Sequence, residues 1–144
     1  MKEIEGSVEI DAPIERVWEV LTDFKAYSKW NPFITQMSGE LKEGSIFDVV
    51  VKIPGRKDSH FKSKLVRIVD KQELFFNGTI KKGMLTDDHL FKLEPLGENK
   101  TKMFQSIAFK GFMSYFAGST IKDGKKGLDM MNSALKVRCE AQKK

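Results

Sequence analysis

The spacing of apolar and polar positions changes character three times along this chain. Residues 2–11, KEIEGSVEID, alternate, with Ile4, Val8 and Ile10 on one side and Glu3, Glu5, Ser7, Glu9 and Asp11 on the other. That pattern predicts a strand with one face in water. The period then lengthens: Ile14, Val17, Trp18 and Leu21 stand at i, i+3, i+4 and i+7, and Pro13 sits where its missing N–H costs nothing, at a first helical turn. Phe24 and Tyr27 predict a second short helical turn. It has to stop near Trp30, because Pro32 disfavours helical backbone at Asn31.

From Ile34 to about Lys110 the period returns to two, and the charged positions identify the outer face of each strand. The inward sets are then Phe47, Val49, Val51 and Ile53; Phe61, Ser63 and Leu65; Leu74, Phe76, Gly78 and Ile80; Leu85, Asp87, His89, Phe91 and Leu93; and Met103, Gln105, Ile107 and Phe109. Turn sequences separate the runs at Pro54-Gly55-Arg56-Lys57-Asp58, Lys82-Gly83 and Gly97-Glu98-Asn99-Lys100. Connections this short predict an antiparallel meander.

Helical spacing resumes at the end. Leu128, Met131 and Leu135 form one stripe, while Lys125, Lys126, Asp129, Lys136 and Glu140 point elsewhere, so a long C-terminal helix offers one apolar face. Residues 111–124 read either as the start of this helix or as a lid. The order is strand, one or two short helices, about six antiparallel strands, long helix. A single sheet covered by helices on its apolar face is a two-layer α+β fold, and 144 residues suit one domain, 1–144.

Composition narrows the function classes. A start without a basic segment leading into an apolar run, and the lack of any apolar stretch near the roughly 20 residues that span a bilayer, lead us to expect a cytoplasmic protein without membrane insertion. One cysteine, Cys139, forms no internal disulfide and no metal cluster. The net charge of +5 comes from lysines scattered among acids at alternating strand positions, which is the signature of solvated faces. No basic stripe with exposed aromatics accompanies it, so nucleic acid is not an expected partner.

The inward list holds many large side chains, yet a twisted sheet of six or seven strands curls, and one helix about 10 Å across cannot fill its whole concave side. A cavity is therefore expected, and Ser63, Asp87, His89 and Gln105 share its apolar face, which is how small-molecule sites are composed. The alternative is a closed core in which these four pair with one another. Trp30 and Phe33, following the first helices, are placed to close one end of the concave face.

Four segments, IDAPIERVWEVLTDFKAYSKWNPF at 10–33, DHLFKLEP at 88–95, FKGF at 109–112 and GLDMMNSALKVRCE at 127–140, resemble the polyketide cyclase/dehydrase branch of the START-like (SRPBCC) superfamily. The resemblance implies a helix-grip fold, in which a curved antiparallel sheet wraps the long last helix around a hydrophobic tunnel. It also implies a family of mixed activities: carriers of lipids and hormones, polyketide cyclases and aromatases, and protein-interaction relatives of the Hsp90-activating type. Pro54-Gly55-Arg56 is no glycine-rich phosphate loop, and no Rieske set of cysteines and histidines is present.

Together these readings place a ligand among Trp30, Phe33, Phe47, Val49, Phe61, Ser63, Phe76, His89, Phe91, Gln105, Ile107, Phe109, Leu128, Met131 and Leu135. The expected partner is a small hydrophobic or amphipathic molecule, a lipid, polyketide or aromatic, with no cofactor; monomer and homodimer both remain open. His89 beside Asp87 could serve as general base or orient a polar head group, or be an ordinary core histidine. Two histidines on different faces, His89 and His60, do not make a metal site. Ser63 and Ser106 lack the context of a nucleophile elbow. Carrier, cyclase-like enzyme and interaction domain remain three distinct readings, the first preferred.

Overall fold

The computed structural model describes residues 2–115 and 117–141. Strand β1 (Lys2–Ile10) is followed by α1 (Ile14–Thr22), a 3-10 turn (Phe24–Ala26) and α2 (Tyr27–Trp30). Strands β2 (Ile34–Ser38), β3 (Ile46–Val51), β4 (Ser59–Val69), β5 (Glu73–Lys81), β6 (Leu85–Gly97) and β7 (Lys100–Lys110) run in sequence. After a 3-10 turn (Phe112–Tyr115), the long helix α3 (Gly118–Glu140) closes the chain. All seven strands join one antiparallel sheet in the order β1-β7-β6-β5-β4-β3-β2, the helix-grip architecture.

That order explains the path of residues 11–33. β1 and β2 are neighbours in sequence but lie at opposite edges of the sheet, so the connection between them must traverse it. α1 begins where Pro13, at the N-cap, offers its carbonyl to the N–H groups of Arg16 and Val17. It buries Val17, Trp18, Val20 and Leu21. α2 stops at Trp30, where Asn31 turns extended and its side-chain oxygen accepts from the N–H groups of Phe33 and Ile34 at 3.0 and 2.9 Å, launching β2.

The ladder registers breaks at Leu65/Arg67, Thr79/Lys81 and Pro95/Gly97, irregularities that bend strands and increase twist. The expected strand faces are the observed ones: Phe47, Leu65, Leu74, Phe76, Phe91, Leu93, Met103 and Ile107 are buried on the concave side, whereas Asp48, Lys62 and Lys64 are exposed. α3 lies along β1, and the close approach relies on Gly6, where a Cβ would come within 2.7 Å of an Asp129 oxygen. Of residues 111–124, the second half opens α3, Phe112–Tyr115 form the 3-10 turn, and Phe116 falls outside the described residues.

Candidate functional site

The concave face is filled unevenly. From α1 and α2 inward, Tyr27, Phe24, Phe47, Phe76 and Phe91 meet edge-to-face in an unbroken chain, with centroid separations of 5.6, 5.0, 5.3 and 6.1 Å in turn. Tyr27 is fully buried and its hydroxyl donates to the carbonyl of Leu21; burial pushes its ionisation far up, so it stays neutral. Leu128, Met131 and Leu135 of α3 pack down on this end with no exposed surface.

Toward the other end of α3 the filling stops. A cavity of about 160 Å³ lies between the sheet and the first two turns of α3. Phe33, Val49, Phe61, Phe76, Phe91, Ile107 and Phe109 form most of its wall, with Ala117, Thr120, Ile121 and Gly124 on the helix side. Ile53, Phe61, Ile80, Leu85 and Phe109 are only half-buried, which marks where it opens. Larger surface depressions exist, one of about 780 Å³ beside Asp70, Lys92, Glu94 and Lys102, but they are open and charged. The interior one has the enclosure and apolar wall of a small-molecule site.

Its buried polar groups lie on the sheet side. Asp87, His89 and Ser63 line the cavity, and all three are buried. Gln105, on the neighbouring strand β7, donates from Nε2 to Asn132 Oδ1 of α3 at 2.7 Å and faces His89 Nε2 with its Oε1 at 2.8 Å. With the amide so oriented, the imidazole proton sits on Nε2 and Nδ1 is left as an acceptor. Burial holds the His89 pKa down at about 4, against the opposing pull of the Gln105 bond, so the ring is neutral near pH 7 and stacks on Phe91 with 4.2 Å between centroids.

Asp87 has the reverse shift. Burial first, then the charge of Asp88, pushes its carboxyl up to about 7, while the N–H groups of Gly78 and of Asp87 itself pull the other way. Among the described residues its Oδ1 has no hydrogen-bond partner of proper geometry. The carboxyl occupies the space opposite Gly78, where a Cβ would stand 2.3 Å from Oδ1, so any side chain there would have to displace the carboxyl.

Of the residues expected to touch a ligand, Phe33, Val49, Phe61, Ser63, Phe76, His89, Phe91, Ile107 and Phe109 line this cavity, and the others do not. Phe47, Leu128, Met131 and Leu135 belong to the solid end, where side chains already fill the space. Gln105 is fully buried one layer behind His89, as its support. Trp30 packs edge-on against Tyr27 at 5.3 Å and faces an outer depression beside Arg16 and Arg138, because α2 has carried it past the concave face. Val51, Ile53, Ile80 and Leu85, expected to face inward but not to touch a ligand, also line it, and Ile34, Met37, Ser59, Ala117, Thr120, Ile121 and Gly124 were missed. Ile121 and Gly124 stand seven and four residues before Leu128 on the same stripe, so helical spacing could have found them.

His60 is exposed on the outer face, and among the described residues no three His, Cys, Asp or Glu side chains converge as a metal site would require. Burial pushes the Cys139 thiol up to about 12, so it is a packing residue rather than a nucleophile. No helix among the described residues is long and apolar enough to cross a membrane.

Solved structures share this architecture at low sequence identity. A START superfamily protein from Mycobacterium smegmatis matches at 21% identity and TM-score 0.79, over 96% of this chain and 97% of that one. The Zhui aromatase/cyclase from Streptomcyes sp. R1128 matches at 14% and 0.74, over 97% and 96%. Truncated norcoclaurine synthase from Thalictrum flavum matches at 15% and 0.74, over 99% and 95%. No curated protein matches the sequence. The family model described as polyketide cyclase / dehydrase and lipid transport matches residues 1–140, nearly the whole of the sheet and helix just described, and the chain belongs to that family.

Proposed function

We propose that this chain binds a small apolar or amphipathic molecule in the cavity between the sheet and the first turns of α3. The observation that carries this reading is a partly enclosed, phenylalanine-walled space whose buried polar groups, Ser63, Asp87 and His89, all lie on the sheet side. The volume, about 160 Å³, is close to that of engineered apolar cavities that take up a single benzene ring. The ligand class narrows accordingly from lipids and polyketides to compounds of one ring, or one ring-sized portion of something larger. Burying a ring of this size is worth on the order of 4 kcal/mol before association costs, so affinity is expected to be millimolar at best unless a polar contact adds to it.

The test is a panel of one-ring compounds followed by protein NMR, with Ile121→Phe as the blocked control. Shifts confined to the residues of the cavity wall, absent in the folded Ile121→Phe variant, are the expected result. A panel that perturbs nothing, or perturbs the variant equally, defeats the reading.

A second reading, a cyclase-like enzyme, is favoured by one specific observation. A carboxyl held at about 7 can give and take a proton near neutrality, and it lies in the same wall as a neutral imidazole. On this reading His89→Ala and Asp87→Asn each remove turnover of an enolisable polyketone while a bound ring is still detected. Turnover untouched by both substitutions would exclude these residues from any such chemistry.

A further inference from the structure

Among the described residues, the cavity wall holds one carboxyl and no cationic side chain. Asp87 is 5% exposed; backbone N–H groups of Gly78 and Asp87 act on its carboxyl, but among the described residues its Oδ1 has no hydrogen-bond partner. The groups nearby that could have served it are used on the other face of the sheet. Lys110 pairs with Asp88 at 2.5 Å, and Asn77 donates to Asp88 Oδ1 at 2.8 Å. The described lining residues include no lysine and no arginine. His89 is neutral and its Nε2 is engaged by Gln105. A buried carboxylate without a counter-charge is costly, so a site built this way gains most from a ligand that brings the missing charge.

The rest of the wall points the same way. Phe33, Phe61, Phe76, Phe91 and Phe109 surround the space, and aromatic faces attract cations. An anionic ligand would meet the opposite: a like charge and no cationic side chain. We infer that the cavity selects a compact organic cation, a protonated amine carried on a single ring, with Asp87 as its anchor. This rests on the binding role proposed for the cavity and adds the chemical class of its occupant.

Three matched probes test it on the full chain by calorimetry or NMR titration: benzylamine, benzyl alcohol and benzoate. Benzylamine is expected to bind at least about tenfold tighter than benzyl alcohol at about pH 8, with benzoate the weakest. Asp87→Asn, checked for folding by thermal unfolding, should bring the amine to within about threefold of the alcohol. The wild-type chain gives an independent check, since lowering the pH to about 5.5 should protonate Asp87 and shrink the preference. Facing Asp87 are Gly78 from β5, Phe109 from β7, and Thr120, Ile121 and Gly124 across the cavity; among the described residues, the other titratable or charged groups beside it are His89 and the Asp88–Lys110 pair.

Equal binding of amine and alcohol, or tighter binding of benzoate, overturns the inference and leaves the cavity reading standing. A preference that survives Asp87→Asn or does not respond to pH overturns the assignment to Asp87. Binding of none of the three overturns the cavity reading and this inference together.

Discussion

On β5, Leu74 and Phe76 are sealed in the interior, whereas Gly78 has no side chain and Ile80, further along the same face, is half-exposed. On β6 the sealed pair is Leu93 and Phe91, and the run continues through His89 and Asp87 to a half-exposed Leu85. α3 shows the same division, with Leu135, Met131 and Leu128 on the solid side and Gly124, Ile121, Thr120 and Ala117 on the hollow side. The same strands and helix thus build both ends. What differs is the size of the residues that α3 presents. A rod of constant diameter over a curved sheet leaves space wherever its large side chains run out. The His89–Gln105–Asn132 chain of hydrogen bonds links sheet to helix near this division.

Truncation is the most forceful way to break the comparison. Leu135→Ala opens a void where no side chain can relax into it and should cost about 3 kcal/mol, whereas Ile80→Ala at the half-exposed mouth should cost about 1 kcal/mol or less. Urea denaturation midpoints measure both. Equal losses would mean that the two ends are packed alike.

Acid response sharpens the same contrast, because the hollow end holds two buried groups with opposite shifts. Asp87 has a folded pKa raised to about 7. Its contribution to stability is fully present below the unfolded value near 3.9 and is lost as pH rises toward 7. His89 has a folded pKa lowered to about 4, so its contribution is present above the unfolded value near 6.5 and is lost as pH falls toward 4. The Asp87 effect is worth roughly 4 kcal/mol and the His89 effect roughly 3 kcal/mol across their windows. Between about pH 4 and pH 6.5 they run in opposite directions, and the wild-type chain should show a nearly flat profile there. Asp87→Asn should leave the His89 slope, making the protein weaker as pH falls. His89→Gln should leave the Asp87 slope, making it stronger. A wild-type profile that slopes steeply across this window, or two variants with parallel profiles, would contradict the opposed shifts.

Much of this was legible in the residue pattern, and the failures share one cause. Strand faces could be read because Asp48, Lys62, Lys64 and Lys92 mark the solvent side, and a period of two then fixes every partner. The stripe of α3 could be read for the same reason. What could not be read was which part of the concave face is empty. That depends on summed side-chain volumes in three dimensions, so Leu128, Met131 and Leu135 looked like cavity walls and are filling. Trp30 was misplaced because nothing local reveals that β1 and β2 occupy opposite edges, with the helices crossing between them. Asn132 was overlooked although it follows Leu128 by four residues, on the inward side of α3. A polar residue at such a spacing is the available sign of a buried hydrogen bond.

A smaller effect tests whether glycine on α3 is kept for space rather than for stability. At Gly124 a Cβ would meet only Ile4 Cδ1, at an ordinary 3.6 Å. Gly124→Ala should therefore gain about 0.5–1 kcal/mol from helix propensity, read as a rise in the denaturation midpoint. Gly127→Ala, three residues on and at the solid end, should lose stability instead, since its Cβ would fall 2.4 Å from the Phe33 ring. The two substitutions are chemically identical, so opposite signs would report the change in packing along one helix, and equal signs would erase it.

The smallest stability change is expected at Arg56, where binding kinetics become the more telling readout. Arg56 reaches from the β3–β4 turn to the start of α3, donating to Asp123 Oδ2 from Nε and Nη2 at 3.2 and 3.1 Å and to Ser119 Oγ at 3.2 Å. The pair is partly exposed, so Arg56→Ala should cost no more than about 0.5 kcal/mol. Yet the turn it fastens carries Ile53 and leads into Ser59, both in the cavity wall, and α3 supplies Thr120 and Ile121 opposite them. Releasing the clasp loosens the hollow end alone, so exchange of a bound ring should quicken while the unfolding midpoint barely moves. Line-shape analysis of a saturating one-ring ligand measures the exchange, and a rate unchanged from the wild-type chain would show that the mouth opens elsewhere.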